Sequence, residues 1–284
     1  MTAQQQALSF RCGEDTLFGI LSLPERPASR GVLIVVGGPQ YRAGSHRQFT
    51  LLARSLAGQG VPVLRFDYRG MGDSEGAARD FTQVDADLRA AIDAFQASVP
   101  GLREIVLWGL CDAASAALCY APQDQRVRAL VLLNPWVRTS EGLARATLKH
   151  YYRDRLLQGA LWHKILRGQF NFGAATRSLL ALAGAARRRS ASGATAAATA
   201  QASLPERMLA GLQAFGGPLL LILSGQDLTA QEFSDAVGRS SGWQAQLAAP
   251  RVRRHTLAAA DHTFSRHAWR EQVAAWTVDW MRSW

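Results

Sequence analysis

The chain has 284 residues, 48% of them hydrophobic, and 32 Lys and Arg against 22 Asp and Glu give a formal net charge of +10. That length and apolar content exclude a disordered chain and allow one large α/β domain that buries roughly three quarters of its unfolded surface. Arginine carries nearly all of the basic charge, Lys149 and Lys164 being the only lysines, and no nucleic-acid motif accompanies it, so nucleic acid is not an expected partner.

The N-terminal stretch Met1 to Phe10 lacks the basic start and apolar core of a signal peptide, and no apolar run approaches the length of a membrane span. The expectation is a cytoplasmic protein without stable membrane insertion. Cys12, Cys111 and Cys119 form an odd, sparse set without metal-ligand spacing, which predicts free thiols and no metal or other cofactor. From Ala7 to Leu23 two short strand-like pieces predict an antiparallel edge. Gly31 to Val36, Gly-Val-Leu-Ile-Val-Val, has no polar alternation and predicts a strand buried on both faces of a parallel sheet. A helix from about Gln48 to Ala57, a buried strand from Val61 to Phe66 and the turn-rich Asp67 to Ser74 follow. Helical spacing over Gln83 to Ala97 precedes a third buried run, Ile105 to Trp108, which turns at Gly109 into an Ala-rich helix from about Asp112. Ala129 to Leu133 is the fourth run. This alternation of strand and helix specifies a mostly parallel sheet covered by helices on both faces.

From 138 to 217 the alternation stops in a helical segment rich in Arg and Ala, with Arg187 to Gln201 composed like a flexible link. Strand pattern returns at Pro218 to Ser224, and a last helix from about Ala268 to Trp284 ends the chain. The division expected is an α/β core at 1–137 and 218–284 with a helical lid at 138–217. Apolar lid residues, Trp162 and Phe170 among them, are candidates for contact with substrate.

Trp108-Gly109-Leu110-Cys111-Asp112-Ala113 follows a buried strand and opens a helix. This is the form of a nucleophile elbow: the backbone turns so sharply that only small residues, here Gly109 and Ala113, fit two positions either side of the nucleophile. The helix start directs N–H groups and the positive end of the dipole at the sulfur, which favours thiolate. Asp227, after the strand Leu219 to Ser224, and His262, in Ala260-Asp261-His262-Thr263-Phe264, complete the chain order nucleophile, acid, histidine. Asp227 would hold the imidazole and His262 would take the thiol proton. Asp261 is the competing carboxylate, less well placed because it adjoins the histidine in sequence. The oxyanion hole is expected from the N–H of Asp112 and that of Gly38, in Val36-Gly37-Gly38-Pro39, since Pro39 has no N–H to donate.

Asp67-Tyr68-Arg69-Gly70-Met71-Gly72-Asp73-Ser74 resembles the Asp-x-Arg-Gly-x-Gly-x-Ser loop of α/β hydrolases. More narrowly, Gly37-Gly38-Pro39-Gln40-Tyr41-Arg42 with Gly44-Ser45-His46-Arg47-Gln48-Phe49, and Cys111 in the elbow, resembles the hydrolase 1 family associated with the exosortase A system. The resemblance implies an α/β-hydrolase fold and an accessory enzyme encoded with bacterial exopolysaccharide and protein-sorting genes. The commoner pattern has Ser for Cys111 and His for Gly37. The expected chemistry is hydrolysis of a small acyl ester or thioester through an acyl-enzyme on Cys111. Acyl transfer to a polysaccharide precursor, lactone opening and a non-catalytic binding scaffold are the alternatives.

Overall fold

In the computed structural model, residues 3–38, 40–137 and 202–284 are described. Their framework is a compact unit formed by Met1–Val137 and Leu204–Trp284. The strands are β1 (Gln4–Cys12), β2 (Asp15–Leu23), β3 (Arg30–Val35), β4 (Val63–Asp67), β5 (Glu104–Leu110), β6 (Val127–Leu133), β7 (Leu219–Ser224) and β8 (Val252–Leu257). They form one sheet in the order β1-β2-β4-β3-β5-β6-β7-β8. β1 and β2 are an antiparallel hairpin joined antiparallel to β4, whereas every pairing from β4 to β8 is parallel.

Alternate residues of the buried strands face opposite layers, as the period of two requires. Val32, Ile34, Val106, Trp108, Leu220 and Ile222 pack against α1 (Gln48–Gly58) and the C-terminal helix His267–Met281. Leu33, Leu107, Leu130 and Leu221 face the other layer, which includes α2 (Asp85–Ser98) and α3 (Asp112–Tyr120). α4 (Leu204–Ala214), α5 (Leu228–Gly238) and α6 (Ser241–Leu247) contribute Met208, Leu212, Phe233 and Trp243 to that same layer. The C-terminal helix is α7. α4 lies within the stretch read from the sequence as lid, and it packs on α3; the rest of that stretch, 138–201 with Trp162 and Phe170, lies outside the described residues.

The loop after β4 is held by its own acid. Asp67 is fully buried and accepts from the N–H of Arg42 at 2.6 Å, from the Arg42 guanidinium and from the N–H of Asp73 at 3.3 Å. Ser74 Oγ donates to the Asp67 carbonyl at 2.6 Å and accepts from the N–H of Phe18 at 2.9 Å. Arg69 forks onto Asp87 through two contacts of 2.9 Å, a planar bidentate pairing that fixes angle as well as distance. Gly72 has φ +51°, and a Cβ there would collide with the Asp67 carboxylate. The Asp-x-Arg-Gly-x-Gly-x-Ser motif therefore ties α2, β2 and the loop after β3 to the end of β4.

Candidate active site

Cys111 is the single residue between β5 and α3 and sits at φ 64°, ψ −126°. A non-glycine residue in that region is strained by roughly 1–3 kcal/mol and persists only where its surroundings over-determine it. Here the Cys111 N–H donates to the Leu133 carbonyl at 2.9 Å, and its own carbonyl accepts from Ala114 at 3.1 Å and Trp136 at 3.2 Å. Ser115 Oγ adds a bond to the Trp136 carbonyl at 2.6 Å. A Cβ on Gly109 would lie 2.7 Å from the Ala113 carbonyl group, which is the crowding the small-residue pattern anticipates.

The remaining site groups stand at the ends of the next strands in the sheet. Asp227 follows β7, is 7% exposed and caps α5, accepting from the N–H groups of Thr229 at 3.2 Å and Ala230 at 3.1 Å. Serving as N-cap immobilises the carboxylate, because a bonded cap is held to one rotamer. His262 follows β8, and its Nδ1 lies 2.9 Å from Asp227 Oδ2. The hydrogen bond to Asp227, joined by one to the Cys111 thiol, pushes the His262 pKa up to about 10 against the opposing effect of burial. The structure thus brings together Cys111, His262 and Asp227. Asp261 is occupied elsewhere, accepting from the N–H of Ser265 at 2.9 Å and from its hydroxyl.

Two positioning residues were not anticipated. Asn134, at the end of β6 with φ 43° and no exposure, donates to the His262 carbonyl at 3.0 Å and to Ser224 Oγ at 2.9 Å, and accepts from the Ser224 N–H at 2.8 Å. Ser224 Oγ donates to the Asp261 carbonyl at 2.8 Å. These bonds pin the backbone of the histidine loop to β6 and β7. The signal for Asn134 was its place just after a buried strand, since Asn tolerates the left-handed region.

At the expected oxyanion hole Gly38 has φ +59°, and its N–H donates at 2.9 Å to Oδ2 of Asp112. The other carboxylate oxygen, Oδ1, accepts from the N–H of Ala113 at 2.9 Å. The Asp112 side chain, which the sequence reading did not consider, is thus bonded to one of the two amides expected to bind an oxyanion. Among the described residues, no group of three or more His, Cys, Asp or Glu is placed to hold a metal ion, and no helix is long and apolar enough to cross a membrane.

A mostly parallel eight-stranded sheet, a strained strand-to-helix turn after β5 and an Asp–His pair after β7 and β8 define the α/β-hydrolase fold. The chain belongs to the Alpha/beta hydrolase family, whose model matches residues 32–276. It is similar to the Pyrococcus furiosus esterase Pf2001, with a TM-score of 0.66 at 15% identity over 99% of this chain and 93% of that one. It is also similar to a dienelactone hydrolase from Anabaena variabilis, with a TM-score of 0.61 at 17% identity over 100% and 99% of the two chains. In sequence it is 29% identical over 130 residues to polyketide transferase claH of Penicillium crustosum, a match covering 44% of this chain and 42% of that relative. Polyketide transferase grgF of Penicillium sp is 28% identical over 115 residues, 39% of each chain. The match therefore spans about two fifths of the length of these curated relatives.

Proposed function

We propose that this hydrolase-family protein acts on a small acyl ester or thioester through a covalent acyl-enzyme on Cys111, with His262 as base and Asp227 as the group that orients it. The observation that carries the proposal is the 2.9 Å contact of His262 Nδ1 with Asp227 Oδ2 on an imidazole whose other partner is the Cys111 thiol. His262, as base, would take the proton of the neighbouring thiol, and the thiolate is the nucleophilic form. Sγ attacks the acyl carbon, and the carbonyl π electrons move onto oxygen. Collapse of that tetrahedral species breaks the bond to the leaving alcohol or thiol, to which the imidazolium returns the proton. In the second half His262 deprotonates water or a hydroxyl acceptor, which attacks the thioester and releases Cys111.

Transfer to a hydroxyl acceptor is the second reading, favoured by the sequence match to polyketide transferases. The setting in a bacterial exosortase and exopolysaccharide system rests on the loop residues 37–42 and 44–49 together with Cys111. The test is turnover of an ester and thioester panel, with and without alcohol acceptors. Cys111→Ala is expected to lose roughly a thousandfold or more, as removal of a nucleophile does, and Cys111→Ser to keep a small residue of the rate because a hydroxyl demands more of its base. Wild-type turnover by Cys111→Ala would sink the assignment.

A further inference from the structure

The loop after β3 and the start of α3 face each other across a gap that a side chain of the protein itself bridges. Gly38 N–H donates to Asp112 Oδ2 at 2.9 Å, and Ala113 N–H to Oδ1 at 2.9 Å. A Cβ on Gly37 would collide with Asp112 Oδ1 and lie 2.8 Å from the Leu110 carbonyl. A side chain at position 37 would therefore meet both the Asp112 carboxylate in this rotamer and the backbone of Leu110 and Ala113, so only glycine leaves room for the carboxylate there. Burial raises the Asp112 pKa above the usual carboxylate value, opposed by the amides of Gly38, Ala113 and Asp112 itself, which favour the charged carboxylate, and aided by the nearby Asp80. Across the site the buried Tyr68 is raised to about 12, first by its own burial and then by the charge of Asp112. A carboxylate gripped by amide N–H groups at a helix start imitates the oxyanion of a tetrahedral intermediate, since both present a partly negative oxygen to a fixed donor, here the Gly38 N–H.

Building on the acyl-transfer reading of Cys111, we propose that Asp112 is a resident competitor in the oxyanion hole, its carboxylate holding the Gly38 N–H that a substrate's acyl oxygen must take. Acylation then requires the side chain to rotate away, so Asp112 restrains the reaction at Cys111 and favours acyl groups whose oxygen competes well for that amide. The residue acts by occupying a donor and is a positioning residue. Its own backbone N–H is retained in any substitution.

Two reactions of the same sulfur separate this effect from thiol reactivity. Alkylation by iodoacetamide displaces iodide from carbon and forms no oxyanion. Acylation by p-nitrophenyl acetate does form one: Sγ bonds to the acyl carbon as the carbonyl electrons move onto oxygen, and collapse of that oxyanion breaks the bond to p-nitrophenolate and leaves acetyl-Cys111. Asp112→Ala and Asp112→Ser, both too short to reach Gly38, are compared with wild type by the ratio of the two second-order rate constants, with the acetyl adduct confirmed by mass. The expected result is a rise in the acylation-to-alkylation ratio of about tenfold or more in both variants, given that one oxyanion donor is worth roughly 10²–10³ in rate. An adduct formed in all three proteins with an unchanged or lower ratio overturns the proposal and leaves the acyl chemistry standing. No acetyl adduct on Cys111 in any of the three overturns both.

Discussion

Cys111 carries an unfavourable backbone conformation that three neighbours enforce: Leu133 through its carbonyl, and Ala114 and Trp136 through their N–H groups. The strain aims Sγ out of the sheet, toward the one histidine that Asp227 holds. The raised pKa of His262 has a consequence for stability whose sign is fixed. Its unfolded value is about 6.5 and its folded value about 10, so the folded state binds the proton more tightly. The stabilisation is fully present below about pH 6.5 and is lost as pH rises through about 10. Thermal melts from pH 6 to pH 10.5 should show the wild type losing stability across that window more steeply than His262→Gln. Equal slopes for the two proteins would mean that the imidazolium contributes nothing to the folded state.

Strand ends, more than the strands themselves, assemble the site. Cys111 follows β5, Asn134 follows β6, Asp227 follows β7 and the His262 loop follows β8, four neighbours in the sheet. Removing Asn134 leaves the buried Ser224 N–H without its acceptor and the His262 carbonyl without its donor. Asn134→Ala should therefore cost about 1–3 kcal/mol in urea unfolding, as a buried unsatisfied group does, and slow acyl turnover about tenfold while Cys111 still alkylates. Wild-type turnover in that variant would show that the histidine loop needs no such tether. Elements with apolar runs, β3, β5, β6 and β7, together with β4, whose run the buried Arg65 interrupts, were legible in the sequence because burial on both faces leaves little polar alternation. β8, Val-Arg-Arg-His-Thr-Leu, was not read as a strand: it lies at the sheet edge with its two arginines exposed, so it lacks that signature. α4 was absorbed into the expected lid because an Ala- and Leu-rich helix has the same composition whether it packs on α3 or elsewhere.

At the scale of the molecule, the chain winds from β3 through α1 to β4 on one side and through α2 to β5 on the other. The loop after β3 and the turn after β5 thus meet where the strand order reverses, the crevice in which open α/β sheets bind ligands. The order of Cys111, Asp227 and His262 along the chain was readable as a pattern, and so was the turn carrying Cys111, because the steric demand at Gly109 and Ala113 leaves a mark in residue size. The occupation of Gly38 by Asp112 was not readable, because the hydrogen bond joins residues 74 positions apart through a rotamer that no local pattern encodes. Among the described arginines, Arg42 and Arg69 lock loops to Asp67 and Asp87. The most direct test of the central claim is intact and peptide mass spectrometry after brief exposure to a series of acyl thioesters. The account predicts a mass gain equal to one acyl group, carried by the peptide containing Cys111 and absent from Cys111→Ala. An adduct on Cys12 or Cys119 that persists in Cys111→Ala, with Cys111 itself unmodified by every thioester, would contradict it.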